Sequence, residues 1–326
     1  MKKIINEASN YIDEMIEGVV LNEPNKLKRV KGFDVITRKN INKNKVALIS
    51  GGGAGHEPAH GGFVGEGMLD AAIVGPVFTS PTPNQVEAAL KETTGDKGAL
   101  VIIKSYTGDR LNFEAGQMLF EVTGKPVRKI IVGDDVAIKD TSKTAGARGL
   151  AGTIFIHKIA GALAERGASL DEVADIAEKV AANVRTMGVG LSACVVPAAG
   201  KPSFTLAEDE IELGLGIHGE PGTKKTKLMT SKKLVDTLLK SILRDKFYKG
   251  SKVAVVVNGL GGTPVSELHI VNNDLSKALA KAKVKVEKTL VGNFVTSLEM
   301  KGFSISLLKL EGNMLELLND KADTLA

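Results

Sequence analysis

The chain has 326 residues, 43% of them hydrophobic and 25% charged, enough to bury one large core or two ordinary ones. Its net charge of +5 is spread along the chain, and with no tryptophan and only 4% aromatic residues it offers few platforms for base stacking, so direct nucleic-acid binding is not expected. A single cysteine, Cys194, excludes an internal disulfide and a cysteine-built metal site, and no apolar run is long enough to span a bilayer.

The N-terminal residues turn polar before a secretion signal could form, which predicts a soluble, cytoplasmic protein. Residues 46–50, 71–77, 99–103 and 129–132 read as short buried strands, with helices over 84–93 and 112–122 between them. This alternation predicts a mostly parallel α/β sheet, in which ligands gather beyond the carboxyl ends of strands. Three polar or glycine-rich segments follow such strands directly: Gly51 to Pro58, Phe78 to Pro83 and Lys104 to Asp109. Amphipathic helices over 149–166 and 169–186 come next, the second opened by Ser169 and Glu172 at capping-box spacing. They close a first α/β domain at residues 1–187. Residues 188–326 read as a mixed-sheet α/β domain, with strands over 191–196, 210–214, 253–257, 284–290 and 304–310 and helices over 230–243 and 265–282. The densest basic patch, Lys224, Lys225, Lys227, Lys232 and Lys233, reads as the solvated opening of the first of those helices.

Two histidines stand apart because glycines flank them and leave them open to a ligand. His218 lies in Gly214-Leu-Gly-Ile-His218-Gly-Glu-Pro-Gly222, and His56 ends the run Gly51-Gly-Gly-Ala-Gly55. Around Gly53, Ala54 and Gly55 bare backbone amides could approach a small polar ligand, with His56 at the start of a following helix whose dipole favours the neutral ring. Lys104 and Asp109, at a neighbouring strand end, form a hydroxyl-binding set: the carboxylate accepts an O–H and the amine holds an oxygen.

His56-Glu-Pro-Ala-His60 matches the zinc-protease spacing, but Pro58 and the glycines at 61, 62 and 65 oppose the long helix that ligation needs, so no metal is expected. Gly214-Leu-Gly-Ile-His-Gly219 has dinucleotide-fingerprint spacing, yet Glu220-Pro221-Gly222 stands where the phosphate-binding helix should run. Neither Gly-Lys pair precedes serine or threonine, so there is no P-loop and no cofactor is expected. His60, His157 and His269 read as partly buried structural imidazoles without chemistry.

Together with Phe78-Thr-Ser-Pro-Thr-Pro83, Tyr106-Thr-Gly-Asp-Arg-Leu-Asn-Phe113 and Val196-Pro-Ala-Ala-Gly-Lys-Pro202, the two histidine motifs resemble the substrate-binding subunit of dihydroxyacetone kinases, from Met1 to about Leu310. The resemblance implies a homodimer that holds dihydroxyacetone as a hemiaminal on Nε2 of His218. It further implies that Gly53, Lys104 and Asp109 hydrogen-bond the sugar and that His56 and Asp109 orient or deprotonate the hydroxyl that receives phosphate. Members of this length work with a separate nucleotide-carrying subunit charged by the phosphoenolpyruvate-dependent transferase system. A regulatory branch instead binds the ketone and acts as coactivator of a TetR-type transcription regulator.

Ala54 stands where serine is usual, Ser105 where asparagine is, and Ala147, beside Arg148, where two arginines are; no tryptophan closes the chain. The ketone-holding residues are intact, so these departures favour the coactivator as the expectation, with the kinase subunit as the alternative.

Overall fold

The alternation of apolar runs with helical segments resolves, in a computed structural model describing residues 2–138 and 146–326, into two six-stranded sheets, each in its own compact unit. The first unit comprises Lys2–Val132, Thr153–Ala181 and Glu316–Ala326, and the second Gly133–Gly152 and Ala182–Leu315. A single boundary after residue 187 does not describe this division. The chain leaves the first unit after all six of its strands, returns for two helices, and comes back once more at its end.

In the first unit α1 (Tyr11–Asn22) precedes β1 (Leu27–Arg29), β2 (Val35–Arg38), β3 (Ala47–Gly53) and β4 (Ala71–Gly75). Then α2 (Pro83–Thr93), β5 (Ala99–Lys104), α3 (Thr107–Phe120) and β6 (Val127–Val132) follow, and α4 (Thr153–Glu165) and α5 (Leu170–Asn183) come after the excursion into the second unit. The sheet order is β1-β2-β4-β3-β5-β6, parallel from β4 to β6 and antiparallel through β1 and β2.

Strand periodicity decides which side each residue serves. Ile49, Val101 and Ile103 join Val86 and Leu90 of α2 and Phe113 and Phe120 of α3 in one buried core. Leu100, Ile102 and Lys104 therefore point to the opposite face, against which α4 packs.

The second unit contains β7 (Val184–Gly190), β8 (Glu210–Leu213), β9 (Lys224–Lys227), α6 (Ser231–Ile242), β10 (Lys252–Gly259), α7 (Val265–Lys281), β11 (Lys285–Gly292) and β12 (Gly302–Lys309). A last helix, α8 (Met314–Asn319), runs from the second unit into the first unit's C-terminal segment. The second sheet is mixed, in the order β11-β10-β12-β7-β8-β9, with only β10 and β11 parallel. Its core is aliphatic: Val253, Val255 and Val257 of β10 and Ile305 and Leu307 of β12 pack with Leu238 of α6 and Leu275 of α7.

Four expectations need correction. No strand covers 191–196; the strand is β7, which starts at Val184 where a helix to residue 186 was expected, because Val184, Thr186 and Val189 pair with Leu308, Ser306 and Phe303 of β12. Gly51, Gly52 and Gly53 belong to β3 rather than to a loop, paired with Ile73, Val74 and Gly75. Residues 54–60 form turns, so His56 does not sit at a helix N-terminus. Lys224, Lys225 and Lys227 lie on the edge strand β9, where exposed lysines discourage further strand pairing.

Candidate functional site

The first unit gathers Gly51 to Gly53, His56, His60, Lys104 and Asp109. Lys104 ends β5 and is 1% exposed; its ammonium donates to Gly51 O at 3.0 Å and lies 2.8 Å from Nε2 of His60 and 3.9 Å from Oδ2 of Asp109. Gly52 makes room for it: a Cβ there would stand 2.6 Å from Lys104 Nζ. Asp109 is buried in the first turn of α3, which begins at Thr107, five residues earlier than the sequence periodicity suggests. That end of a helix favours a negative charge.

His56 is buried and stacks on Phe78, with ring centroids 5.1 Å apart. The Ala54 amide donates to Gly75 O at 3.1 Å and the Gly55 amide to the Glu57 carboxylate at 3.0 Å, so neither points its N–H at a ligand as the glycine run suggested. Burial raises the Glu57 pKa against those amide contacts.

His60 and His157 are closer to this chemistry than their sequence context implies. Nδ1 of His60 is 2.9 Å from Nε2 of His157, which projects from α4, and both rings are buried. Burial, followed by the charge of Lys104, holds His157 down to about 3 and His60 well below its ordinary value, so both rings are neutral near pH 7. With one ring nitrogen on Lys104 and the other on His157, His60 has no lone pair to give a metal, which removes the zinc-protease reading of His56 and His60. His269, by contrast, is exposed on α7. A cavity of about 400 Å³ beside β3 is lined by Gly53, Ala54 and His60 and by Met15 and Val19 of α1.

The second unit carries His218 on the loop after β8. Its side chain is 20% exposed, and its Nδ1 lies 2.7 Å from Oε1 of Glu220, whose Oε2 accepts the His218 backbone amide at 2.9 Å. Burial tends to raise the Glu220 pKa, but the hydrogen bonds from His218 outweigh it and hold the carboxyl down to about 2. An ionised carboxylate only accepts, so Nδ1 of His218 carries a hydrogen, and in the neutral ring the lone pair belongs to Nε2.

The loop is built around that pair. A Cβ at Gly216 would stand 2.0 Å from Glu220 Oε2, and Gly214 and Gly219 take positive φ values of 72° and 83°. Arg148, ion-paired with Asp135, donates to Gly214 O at 2.7 Å, and Ser297 donates to Ile217 O at 2.5 Å, so both sides of the loop are tied down. The Gly214-to-Gly219 segment runs into turns without a helix, and the dinucleotide spacing is coincidental.

A sequence model of the Dak1 domain matches residues 17–326. The chain belongs to the Dak1 domain family. It is 48% identical to the PTS-dependent dihydroxyacetone kinase 1, dihydroxyacetone-binding subunit DhaK, of Listeria innocua, over 100% of both chains. Among solved structures it is similar to the dihydroxyacetone kinase of C. freundii, with a TM-score of 0.90 and 37% identity, covering 100% of this Dak1 chain and 60% of that one. The dihydroxyacetone kinase operon co-activator Dha-DhaQ is also similar, with a TM-score of 0.91 and 34% identity over 97% of each chain. The higher identity lies with the kinase subunit, so the coactivator expectation drawn from Ala54, Ser105 and Ala147 is not favoured.

The sequence singled out Gly53, Ala54, Gly55, His56, Lys104, Asp109 and His218, gave His60 and His157 a structural reading, and assigned no role to Glu220 or Arg148. Only Glu220 had a local signal, an acid two residues from a glycine-flanked histidine. No helix among the described residues is long and apolar enough to cross a membrane.

Proposed function

We propose that this chain is the dihydroxyacetone-binding subunit of a phosphotransferase-system-dependent dihydroxyacetone kinase, and that it holds the ketone as a hemiaminal on Nε2 of His218. The observation that carries the reading is the Glu220 carboxylate on Nδ1, which leaves Nε2 as the nucleophile. In the capture step a bond forms from Nε2 to the carbonyl carbon and the C=O π bond breaks. The oxygen takes a proton from solvent, and Glu220 offsets the positive charge left on the ring. Glycerol has no carbonyl to accept that bond, so capture itself separates ketone from polyol.

Lys104 offers a donor and Asp109 an acceptor to the sugar hydroxyls, and Gly53 lets them approach the backbone. By the family resemblance His56 and Asp109 then act on the hydroxyl that receives phosphate. The phosphoryl donor in this proposal is a separate nucleotide-carrying subunit, and the chain works as a homodimer. The full-length likeness to a kinase subunit of that type supports this choice over the co-activator.

Mixing the purified chain with the phosphoryl-donor subunits and dihydroxyacetone should give rapid phosphorylation. Ketone capture without phosphorylation would restore the coactivator reading, with a TetR-type regulator as partner. His218→Ala should abolish the ligand mass increment, whereas His56→Ala should keep it and slow transfer on the order of a hundredfold or more. Wild-type protein with no increment at all would defeat ketone capture.

A further inference from the structure

Lys104 is held by three groups, and their chemistry sets the direction of every hydrogen bond behind it. Gly51 O can only accept, and so can the Asp109 carboxylate 3.9 Å away; burial lowers the Lys104 pKa, and that carboxylate opposes the shift and favours the charged amine. An ammonium has three donors and no acceptor, so Nε2 of His60, at 2.8 Å, must accept as well. The hydrogen of neutral His60 is then on Nδ1, where it donates to Nε2 of His157 at 2.9 Å. His157 in turn carries its hydrogen on Nδ1, which has no hydrogen-bond partner among the described residues.

We propose that His60 and His157 are positioning residues: a buried pair of imidazoles, each locked in one tautomer, that aims the Lys104 ammonium. Neither ring touches the ligand. His60 takes one of the three N–H bonds of Lys104 out of play, Gly51 takes a second, and the third is left on the Asp109 side for a sugar oxygen. His157 keeps His60 in the accepting tautomer; without it the Nδ1 hydrogen of His60 loses its partner and the ring is free to turn. A chain of buried polar groups ending on an unsatisfied nitrogen is costly to keep, and an apolar residue at 157 would avoid it. The orientation of Lys104 is what the arrangement gains.

This inference rests on the reading of Lys104 as a ligand-binding residue, and two readouts separate its failure from the failure of that reading. Long-range 15N–1H spectra of the ligand-free, histidine-labelled chain should show His60 and His157 neutral at pH 7, each with its hydrogen on Nδ1. A hydrogen on Nε2 of His60 overturns the proposal, because Lys104 would then be a neutral amine accepting from it. In parallel, His157→Leu should weaken capture of dihydroxyacetone roughly tenfold, the effect of one misaligned charged hydrogen bond. His157→Gln, whose amide oxygen accepts from His60 Nδ1, should recover most of the loss. Equal capture by the leucine variant and wild type overturns the proposal; if the leucine variant does not fold, the glutamine variant and the tautomer spectrum decide it. Wild-type protein that takes up no ketone defeats the function proposed for the site, whereas wild-type capture with the wrong tautomer defeats the pair alone.

Discussion

At the scale of single residues, Glu220 determines which nitrogen of a neutral His218 carries the hydrogen. Its carboxylate sits 2.7 Å from Nδ1, and a glutamine there could turn its NH2 toward that nitrogen instead. The imidazole hydrogen would then move to Nε2 and occupy the lone pair that the proposed capture requires. Glu220→Gln should therefore slow adduct formation on the order of a hundredfold with little change in fold, as expected when a positioned base is put in the wrong tautomer. Time-resolved intact-mass measurement with dihydroxyacetone checks this, and unchanged kinetics would remove Glu220 from the mechanism. Gly216 belongs to the same argument. Because a Cβ there would overlap Glu220 Oε2 at 2.0 Å, Gly216→Ala should push the carboxylate off Nδ1 and slow capture comparably. That outcome is read in the same assay, and an alanine variant with wild-type kinetics would show that the loop can yield without moving the carboxylate.

At the scale of elements, β3 explains why three glycines in a row form a strand. A Cβ at Gly51 would lie 2.3 Å from Ile73 O on β4, whereas one at Gly52 would meet the movable end of Lys104. Gly51→Ala should cost about 1–3 kcal/mol of stability, measured by denaturant unfolding, because backbone has to give way. Gly52→Ala should instead weaken ketone capture per folded molecule by displacing Lys104, and capture equal to wild type would contradict the packing argument.

The strand nature of Gly51 to Gly53 was not legible in the sequence. Glycine runs read locally as turns, and it is the β4 backbone, some twenty residues on, that holds these three extended. The parallel β3, β4, β5 and β6 and the helices between them were legible, since their periodicity is local. So was the proximity of Lys104 and Asp109, because both sit in one short motif at the end of β5. The His60–Lys104–His157 contact was not, since it joins three segments far apart in the chain and depends on Lys104 falling on the α4 face of β5.

At the scale of the whole molecule, the two units hold buried acids and bases that respond to pH with opposite sign. In the first unit burial keeps His157 neutral down to about 3 and His60 neutral well below its ordinary value. An unfolded histidine binds its proton near pH 6.5, so the stability these rings contribute is complete above that pH and is lost as pH falls toward 3. At pH 5 His157 alone should remove about 2 kcal/mol.

In the second unit burial raises Asp134 to about 6, despite the Leu150 and Gly152 amides that it accepts. Its folded pKa lies above the unfolded one, so its contribution is complete below about pH 3.8 and is lost as pH rises through 6. Glu220, held at about 2, keeps its contribution until the pH drops below its unfolded value of 4.5. Going from pH 7 to pH 5 should therefore weaken the first unit while strengthening or sparing the second. Hydrogen exchange corrected for intrinsic rates should show protection falling in β3 and β5 but not in β7 and β12. His157→Gln should reduce the fall in β3 and β5, because it removes one of the two rings that must be charged. A uniform loss across both sheets, unaffected by that substitution, would place the acid sensitivity elsewhere than in the buried imidazoles.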